Sequence, residues 1–445
     1  MSSNAVEGVL TSLNGNFKNV YGSKIEDLVP ETDILFRSDR VKFVSKKGRE
    51  GLQFNQPVLV SLPSSATWGL NAPTLNAPIA MQLANAVITG SAITMRDVLS
   101  YDSAARAVGS DAAFEATVGL VIRTLMKAHA KFCEVDLLYG NGGITSGVSL
   151  CQSTSITSPS GSSGAKTSTV VITYGTWAPA MFSGFQNAVL DAYVAGTRLN
   201  GASSGYTIVS VNATPTGSTV GGSFVVTGSD SDMAALYGAT GSTAIDFYWY
   251  HAYGSNMVGL SGILQPSLYP SGSLFGISAT SYDLWAANTF ACGSSQLTFS
   301  KLQQAVALAV SRGLDEEVMA LISPVSFADL VNEQAGARRY DSSYSPKKGE
   351  QGVEALSYWG PNGKIEVLPH MFVHQGEGFI VPAAELMKVG PLDHIAPTLP
   401  GVGEIFFQSP LTASYEIRTF SDMALLLNTP AKATYINSIV NSQSA

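Results

Sequence analysis

The sequence predicts an α+β fold in which an extended β-hairpin and one long amphipathic helix precede an α/β domain carrying a β-rich insertion. Three observations predict it. Residues 51–95 contain no Asp, Glu, Lys, Arg or His, where about six ionisable residues would be expected at this chain's charged content. From Phe114 to Tyr139 apolar residues recur in steps of three and four, the period of a helix stripe. Beyond Leu297, capping residues and short β-rich runs alternate, the pattern of an α/β unit.

The chain has 445 residues, enough for two or three packed units. Charged residues make up 13%, about half the usual share of roughly 25%. Interface cores are depleted in charge, so this composition fits a chain that loses much of its surface to partners, or else a Ser/Thr/Gly-rich secreted β protein. With 25 basic and 33 acidic residues the net charge is −8, which argues against general nucleic-acid binding. Cys133, Cys151 and Cys292 form no CxxC pair and suggest a reducing compartment without a disulfide framework. The first residues lack a basic segment followed by an apolar one, so the expectation is folding in cytosol without a secretory signal.

Residues 1–36, with Gly15, Gly22 and Pro30, read as an arm. Six basic residues follow against one acid, Asp39: Arg37, Arg40, Lys42, Lys46, Lys47 and Arg49. The run reads as a solvated strand edge, as a latch on an acidic neighbour, or as a polyanion contact. In the uncharged stretch Leu52, Phe54, Val58, Val60 and Leu62 share one parity, and Ile79, Met81, Leu83 and Val87 another. Two strands around a Pro/Ser/Gly/Asn tip at Pro63 to Pro78 are expected. Polar and proline residues interrupt it too often for a membrane span. Exposed strands are usually blunted by charge, so the hairpin should be covered, most economically by a second copy of the chain.

The helix should start near Ser110 or Asp111, with Glu115 in its first turn. Phe114, Val118, Val121, Leu125, Ala128, Phe132, Val135 and Tyr139 form the buried stripe, and Arg123, Lys127, Lys131 and Glu134 the opposite face. Asp111 to Leu138 would span roughly 42 Å, ending at Gly140-Asn141-Gly142-Gly143. Ile122, Met126 and Ala128 broaden the stripe toward packing on a sheet, with a coiled coil as the rival. Residues 141–168 read as loop, 169–174 as strand and 179–194 as helix. A small β insertion is expected over 196–262. Thr298 caps a helix up to Gly313, a strand covers 318–322, and Ser323-Pro324 opens a helix to Gly336. Further strands are expected at 364–368, 379–381, 404–408 and 415–427.

No catalytic constellation emerges, and no enzyme, cofactor or metal site is expected. Gly201-Ala202-Ser203-Ser204-Gly205 matches GxSxG but lacks a strand before and a helix after it. His370 and His374 would lie about 13 Å apart along a strand, favouring a structural role over zinc. Cys133 and His129 read as packed helix residues, and Asp315, Glu316 and Glu317 as a solvated cluster. There is no GxxxxGK[ST] or GxGxxG loop.

The layout of arm, hairpin (Val41 to Met95), helix with a glycine stop (Asp111 to Gly143) and later α/β domain (Thr298 to Gly313, Ser323 to Gly336) resembles the major capsid proteins of tailed bacteriophages, the Hong Kong 97-type or Johnson fold. Ile322-Ser323-Pro324, Leu330, Arg338-Arg339, Gly363-Lys364-Ile365-Glu366-Val367 and Phe379-Ile380-Val381-Pro382 are similar to that family's axial domain. The resemblance implies an N-terminal arm (1–36), an E-loop hairpin (37–100), a peripheral domain with a spine helix (101–175), an axial domain (176–385, with 196–262 inserted) and a return to the peripheral domain (386–445). It implies self-assembly into hexamers and pentamers of an icosahedral virion head enclosing double-stranded DNA, formed in the host bacterial cytoplasm. Implied partners are a portal, a separate scaffolding protein and a decoration protein. An encapsulin-like compartment and a phage tail or surface β protein are the alternatives. Some members crosslink through an E-loop lysine, but residues 51–95 hold none, so non-covalent stabilisation is expected unless Lys46 or Lys47 serves. The candidate inter-subunit contacts are Phe54, Val58, Val60, Trp68, Leu70, Ile79, Met81 and Leu83, with the basic Arg37, Arg40, Lys46, Lys47 and Arg49.

Overall fold

Alternation in the uncharged run becomes paired strands in the computed structural model, which describes residues 34–36, 41–44, 53–69, 74–100, 117–144, 147–162, 164–214, 220–241, 244–269, 272–337, 356–360, 363–391, 395–396, 406–408 and 414–442. After β1 (Lys42–Val44), β2 (Gln53–Ser61) and β3 (Gln82–Thr89) form an isolated antiparallel pair with Phe54 opposite Ile88 and Leu59 opposite Leu83. The second strand of the hairpin ends at Thr89. Gly90 then turns the chain, and β4 (Ser91–Ser100) leaves the hairpin for a different sheet.

The helix α1 (Thr117–Tyr139) follows; the start expected at Ser110 or Asp111 lies outside the described residues. Its C-terminal half is buried on every side: His129, Lys131, Glu134 and Asp136 are all buried beside the apolar stripe. This corrects the open face expected for Lys131 and Glu134. The helix enters the centre of the molecule, where a one-sided stripe is no longer sufficient. It ends at Gly140, where an added Cβ would meet Met257 O at 2.2 Å; Gly259 N–H donates to Gly140 O at 2.9 Å across the same contact.

The Ser/Thr/Gly-rich stretch after the helix is strand, not loop. β5 (Cys151–Ile156), β6 (Ser160–Ser162), β7 (Ala165–Thr173), β8 (Val189–Val194), β9 (Thr197–Arg198), β10 (Tyr206–Asn212), β11 (Val220–Gly228) and β12 (Ile245–Trp249) make one eight-stranded antiparallel sheet. The order β10-β11-β7-β5-β12-β8 returns to β10 through Tyr206 opposite Leu190, so six strands close a small barrel. Closure removes the edges that so uncharged a sheet would otherwise expose. Val170, Ile172, Leu190, Ile208, Phe224 and Phe247 are among its buried side chains. Trp177 packs over Gly221 and Gly222, where an added Cβ would come within 2.2 Å of Trp177 Cβ and 2.6 Å of its indole ring, respectively. The β-rich stretch thus begins at Cys151, ahead of the expected 196–262. The expected helix over 179–194 is corrected as well: α2 is only Pro179–Phe182, because Ser183 is extended and Asn187 sits at φ 69°, leaving 189–194 free to pair.

The chain continues through α3 (Asp230–Gly238), α4 (Leu260–Leu264), β13 (Ser273–Leu274) and β14 (Ile277–Ser278) to β15 (Asn288–Ser295). Then come α5 (Phe299–Val310), β16 (Val318–Ile322) and α6 (Pro324–Ala337), as their caps predict. Thr298 Oγ1 accepts Lys301 N–H at 3.3 Å, and Ser323 Oγ accepts Ser326 N–H at 3.2 Å. β17 (Leu356–Gly360), β18 (Gly363–Pro369), β19 (Gly378–Pro382), β20 (Leu386–Val389), β21 (Phe406–Gln408), β22 (Ser414–Leu427) and β23 (Thr434–Ile439) complete the chain. A mixed sheet runs β15-β23-β19-β16-β18-β17. Leu302, Val306 and Ala309 of α5 and Leu330 of α6 pack with Ala320, Ile365, Val367 and Ile380 in a core distinct from the larger one around α1. A five-stranded sheet runs β1-β20-β22-β21, with β4 also on β22. Residues 386–445 therefore divide: β20 and β22 lie with β4, whereas β23 crosses into the mixed sheet between β15 and β19.

Candidate inter-subunit surface

The two faces of the hairpin differ because a strand alternates its side chains. On the inner face Phe54, Val58, Val60 and Ala84 are half-buried, and Ala86 and Ile88 fully so, all packed on the chain's own core. The root end of β3 is fixed by Val87 N–H donating to Phe275 O at 2.9 Å, and its tip-ward end by Tyr282 Oη donating to Gln82 Oε1 at 3.1 Å. On the outer face Leu59 and Leu83 stand directly opposite each other, 47% and 62% exposed. Exposure rises toward the tip, where Trp68 is 86% exposed and Leu62, Leu75, Ile79 and Met81 are also open. The tip is ordered by Asn76, whose backbone N–H donates to Thr67 Oγ1 at 2.9 Å and whose Nδ2 donates to Ala66 O at 2.7 Å.

Of the residues singled out from sequence, the structure brings Trp68, Ile79, Met81 and Leu83 to the open part of the hairpin, and places Phe54, Val58 and Val60 on its inner side. In the second strand the even set Ala84, Ala86 and Ile88 packs inward, and Ile79, Met81 and Leu83, the set expected to face a neighbour, is exposed; it is in the first strand that the expected set Phe54, Val58 and Val60 packs on the chain's own core instead. Arg37, Arg40, Lys46, Lys47, Arg49 and Leu70 lie outside the described residues. Leu59, Leu62 and Leu75 are exposed as well and were not among the sequence's contact candidates; Leu62 had its strand parity as a signal, Leu59 and Leu75 only the absence of charge around them.

Buried charged and titratable groups gather on the C-terminal half of α1. The Glu134 carboxylate accepts Leu35 N–H at 2.8 Å and Phe36 N–H at 2.7 Å and bonds His370 Nε2 at 2.7 Å, all buried. Lys388 Nζ donates to Phe36 O, so residues 34–36 are held from both sides between α1 and β20. His129 bonds Thr419 and Ser421 hydroxyls, both at 2.8 Å, and burial pushes its pKa down to about 4. Burial lowers the Lys131 ammonium to about 8, with Lys127 adding to the effect, and raises the Asp136 carboxyl to about 7. Burial also raises the Cys133 thiol to about 12, the state of an inert thiol.

The other sequence candidates are structural. His374 stacks on Tyr139 with ring centroids 3.8 Å apart and bonds Leu150 O at 3.0 Å and Glu377 Oε2 at 3.1 Å. Among the described residues no His, Cys, Asp and Glu cluster could hold a metal ion, and no helix is long and apolar enough to cross a membrane. Ser203 is exposed in the turn between β9 and β10, without the strand-to-helix geometry of a nucleophile elbow. The acidic turn is latched, not merely solvated: Lys432 Nζ meets Asp315 at 2.7 Å and Glu316 at 3.0 Å.

A mixed α+β chain with an outstretched hairpin, a central helix and a helix-covered mixed sheet has the fold of phage major capsid proteins. The capsid protein of cyanophage A-1(L) matches with a TM-score of 0.56 at 10% identity, over 95% of this chain and 97% of that one. The capsid of the native GTA particle matches at 0.48 and 9% identity, over 99% of each chain. The SrpI encapsulin of Synechococcus elongatus matches at 0.41 and 8% identity, over 100% and 99%; these two weaker likenesses show nothing by themselves. No family model matches the chain, and no curated protein matches its sequence.

Proposed function

We propose that this chain is a major capsid protein whose activity is self-assembly into the hexamers and pentamers of an icosahedral phage head. The observation that carries the reading is the tip-ward half of the hairpin, uncharged and with Leu59, Leu62, Trp68, Leu75, Ile79, Met81 and Leu83 open to solvent in the single chain. Apolar surface of this kind marks an interaction site, and burying it on a neighbour contributes about 25 cal/mol per Å². In this reading the hairpin is the E-loop, α1 the spine helix of a peripheral domain, and the mixed sheet with α5 and α6 belongs to the axial domain. The β barrel is an added module on that scaffold. The fold shared with a cyanophage capsid protein supports the assignment. The acidic balance supports a container for double-stranded DNA that holds its contents without many fixed phosphate contacts. A portal, a separate scaffolding protein and a decoration protein are the partners this role calls for.

The test is negative-stain microscopy of the purified chain, alone and co-expressed with candidate scaffolding proteins from the neighbouring genes. Closed icosahedral shells are expected. Fibres, trimers or a persistent monomer under all these conditions would overturn the proposal.

A further inference from the structure

The exposed tip of the hairpin has a counterpart at the hairpin's own root. Between β4, α1 and the turn after β12 lies a cavity of about 370 Å³. Ile93, Met95, Phe132, Trp249 and Ala252 give it apolar walls, and Asp136 and Asn256 give it a polar side. These walls are built, not incidental. Ser91 Oγ donates to Ser255 O at 3.0 Å across the site, and Asn256 Nδ2 donates to Asp136 Oδ1 at 3.3 Å. His251 holds a left-handed backbone at φ 59°, fixed by its N–H donating to Asp191 Oδ2 at 2.8 Å; a non-glycine residue stays there only where its surroundings over-determine it. Trp249 carries a buried indole N–H with no acceptor among the described residues.

We propose that this cavity receives Trp68 from a second copy of the chain, a contact that rests on the shell reading above and names where the hairpin docks. Trp68 is the most exposed large apolar side chain among the described residues. It cannot reach the cavity of its own chain: β2 and β3 hold root and tip roughly 30 Å apart, and Ser91–Met95 lie at the root. The cavity has room for an indole and offers it apolar walls, with polar groups on one side for the ring N–H. Because the tip carries no charge, its entry beside buried Asp136 brings no unpaired ion into the site. Tip and root are different patches, so the contact is head-to-tail, the kind that closes rings of copies.

Trp68→Cys and Ala252→Cys chains, purified separately and then co-assembled, test this. Oxidation should give a disulfide-linked dimer on non-reducing electrophoresis that neither variant gives alone; the native cysteines are buried. Trp68→Ala should raise the concentration needed for assembly by about tenfold or more with the thermal midpoint of the free chain unchanged. Normal shells without the linked dimer, or Trp68→Ala shells forming at the wild-type concentration, would overturn the contact and leave the shell reading standing. A wild-type chain that forms no shell with any helper protein overturns that reading and the contact together.

Discussion

Leu83→Lys places a charge where the hairpin faces outward and the described residues of the single chain leave it mostly open. Leu83 is 62% exposed and sits opposite Leu59, itself 47% exposed. Fully burying a leucine is worth about 1.5–3 kcal/mol, so the portion left for a neighbour to cover contributes roughly 1–2 kcal/mol per copy. An ammonium buried there without a partner adds several kcal/mol of desolvation cost, and a cost of at least about 3 kcal/mol per contact is more than a hundredfold in association. The free chain should hardly respond, since exposed substitutions away from special features stay within about 0.5 kcal/mol. Circular dichroism melts of the monomer and sedimentation of assembly reactions measure the two effects separately. Leu83→Ala, which loses burial without adding charge, should fall between wild type and lysine. Leu83→Lys shells that form at the wild-type concentration would refute the reasoning.

Glu134→Ala leaves two buried amide donors and the His370 ring without their acceptor; at about 1–3 kcal/mol each the thermal midpoint should fall sharply, and an unchanged midpoint would count against the latch on residues 34–36. His129 and Asp136 should oppose each other in pH dependence. For His129, with its pKa lowered to about 4, the unfolded chain binds the extra proton between about pH 6.5 and 4, so its contribution is lost as pH falls through that window, on the order of 3 kcal/mol in all. For Asp136, raised to about 7, the folded chain keeps the proton, and stability is lost as pH rises from about 4 to 7. Denaturant unfolding at several pH values should therefore show Asp136→Asn gaining on wild type as pH rises through that range, and His129→Gln gaining as pH falls below about 6.5; parallel curves would refute both assignments. Denaturing electrophoresis of mature shells should show single chains, because residues 51–95 hold no lysine, and a ladder of joined subunits would overturn non-covalent stabilisation.

Legibility in the sequence followed how local the determining interactions are. Caps and periods near Thr298 and Ser323 are settled within a turn or two, and α5, β16 and α6 stand where they were read. The barrel was hidden because the strands within Cys151–Ser168 depend on pairing with β11 and β12, distant in the chain, as Cys151 opposite Phe247 shows, a relation that Ser/Thr/Gly composition does not announce. Lys131 and Glu134 looked solvent-facing because helix periodicity describes one neighbour, whereas the C-terminal half of α1 has neighbours on all sides. In the hairpin, alternation marked the strands but not which face meets the chain's own core: small Ala84 and Ala86 fit the tight contact there beside Phe54, Val58 and Val60, and bulky Met81 and Leu83 were left outside. A charge at Val60, on the inner face, would disturb the single chain as well as its assembly.

The central claim is that a neighbouring copy covers the uncharged hairpin, and a cryo-electron microscopy reconstruction of the assembled particle tests it most directly. The account predicts the outer face of residues 59–83 in van der Waals contact with an adjacent subunit, with Trp68 and Leu83 buried there. A hairpin standing free in solvent, or folded back along its own chain, in a well-formed particle would contradict it.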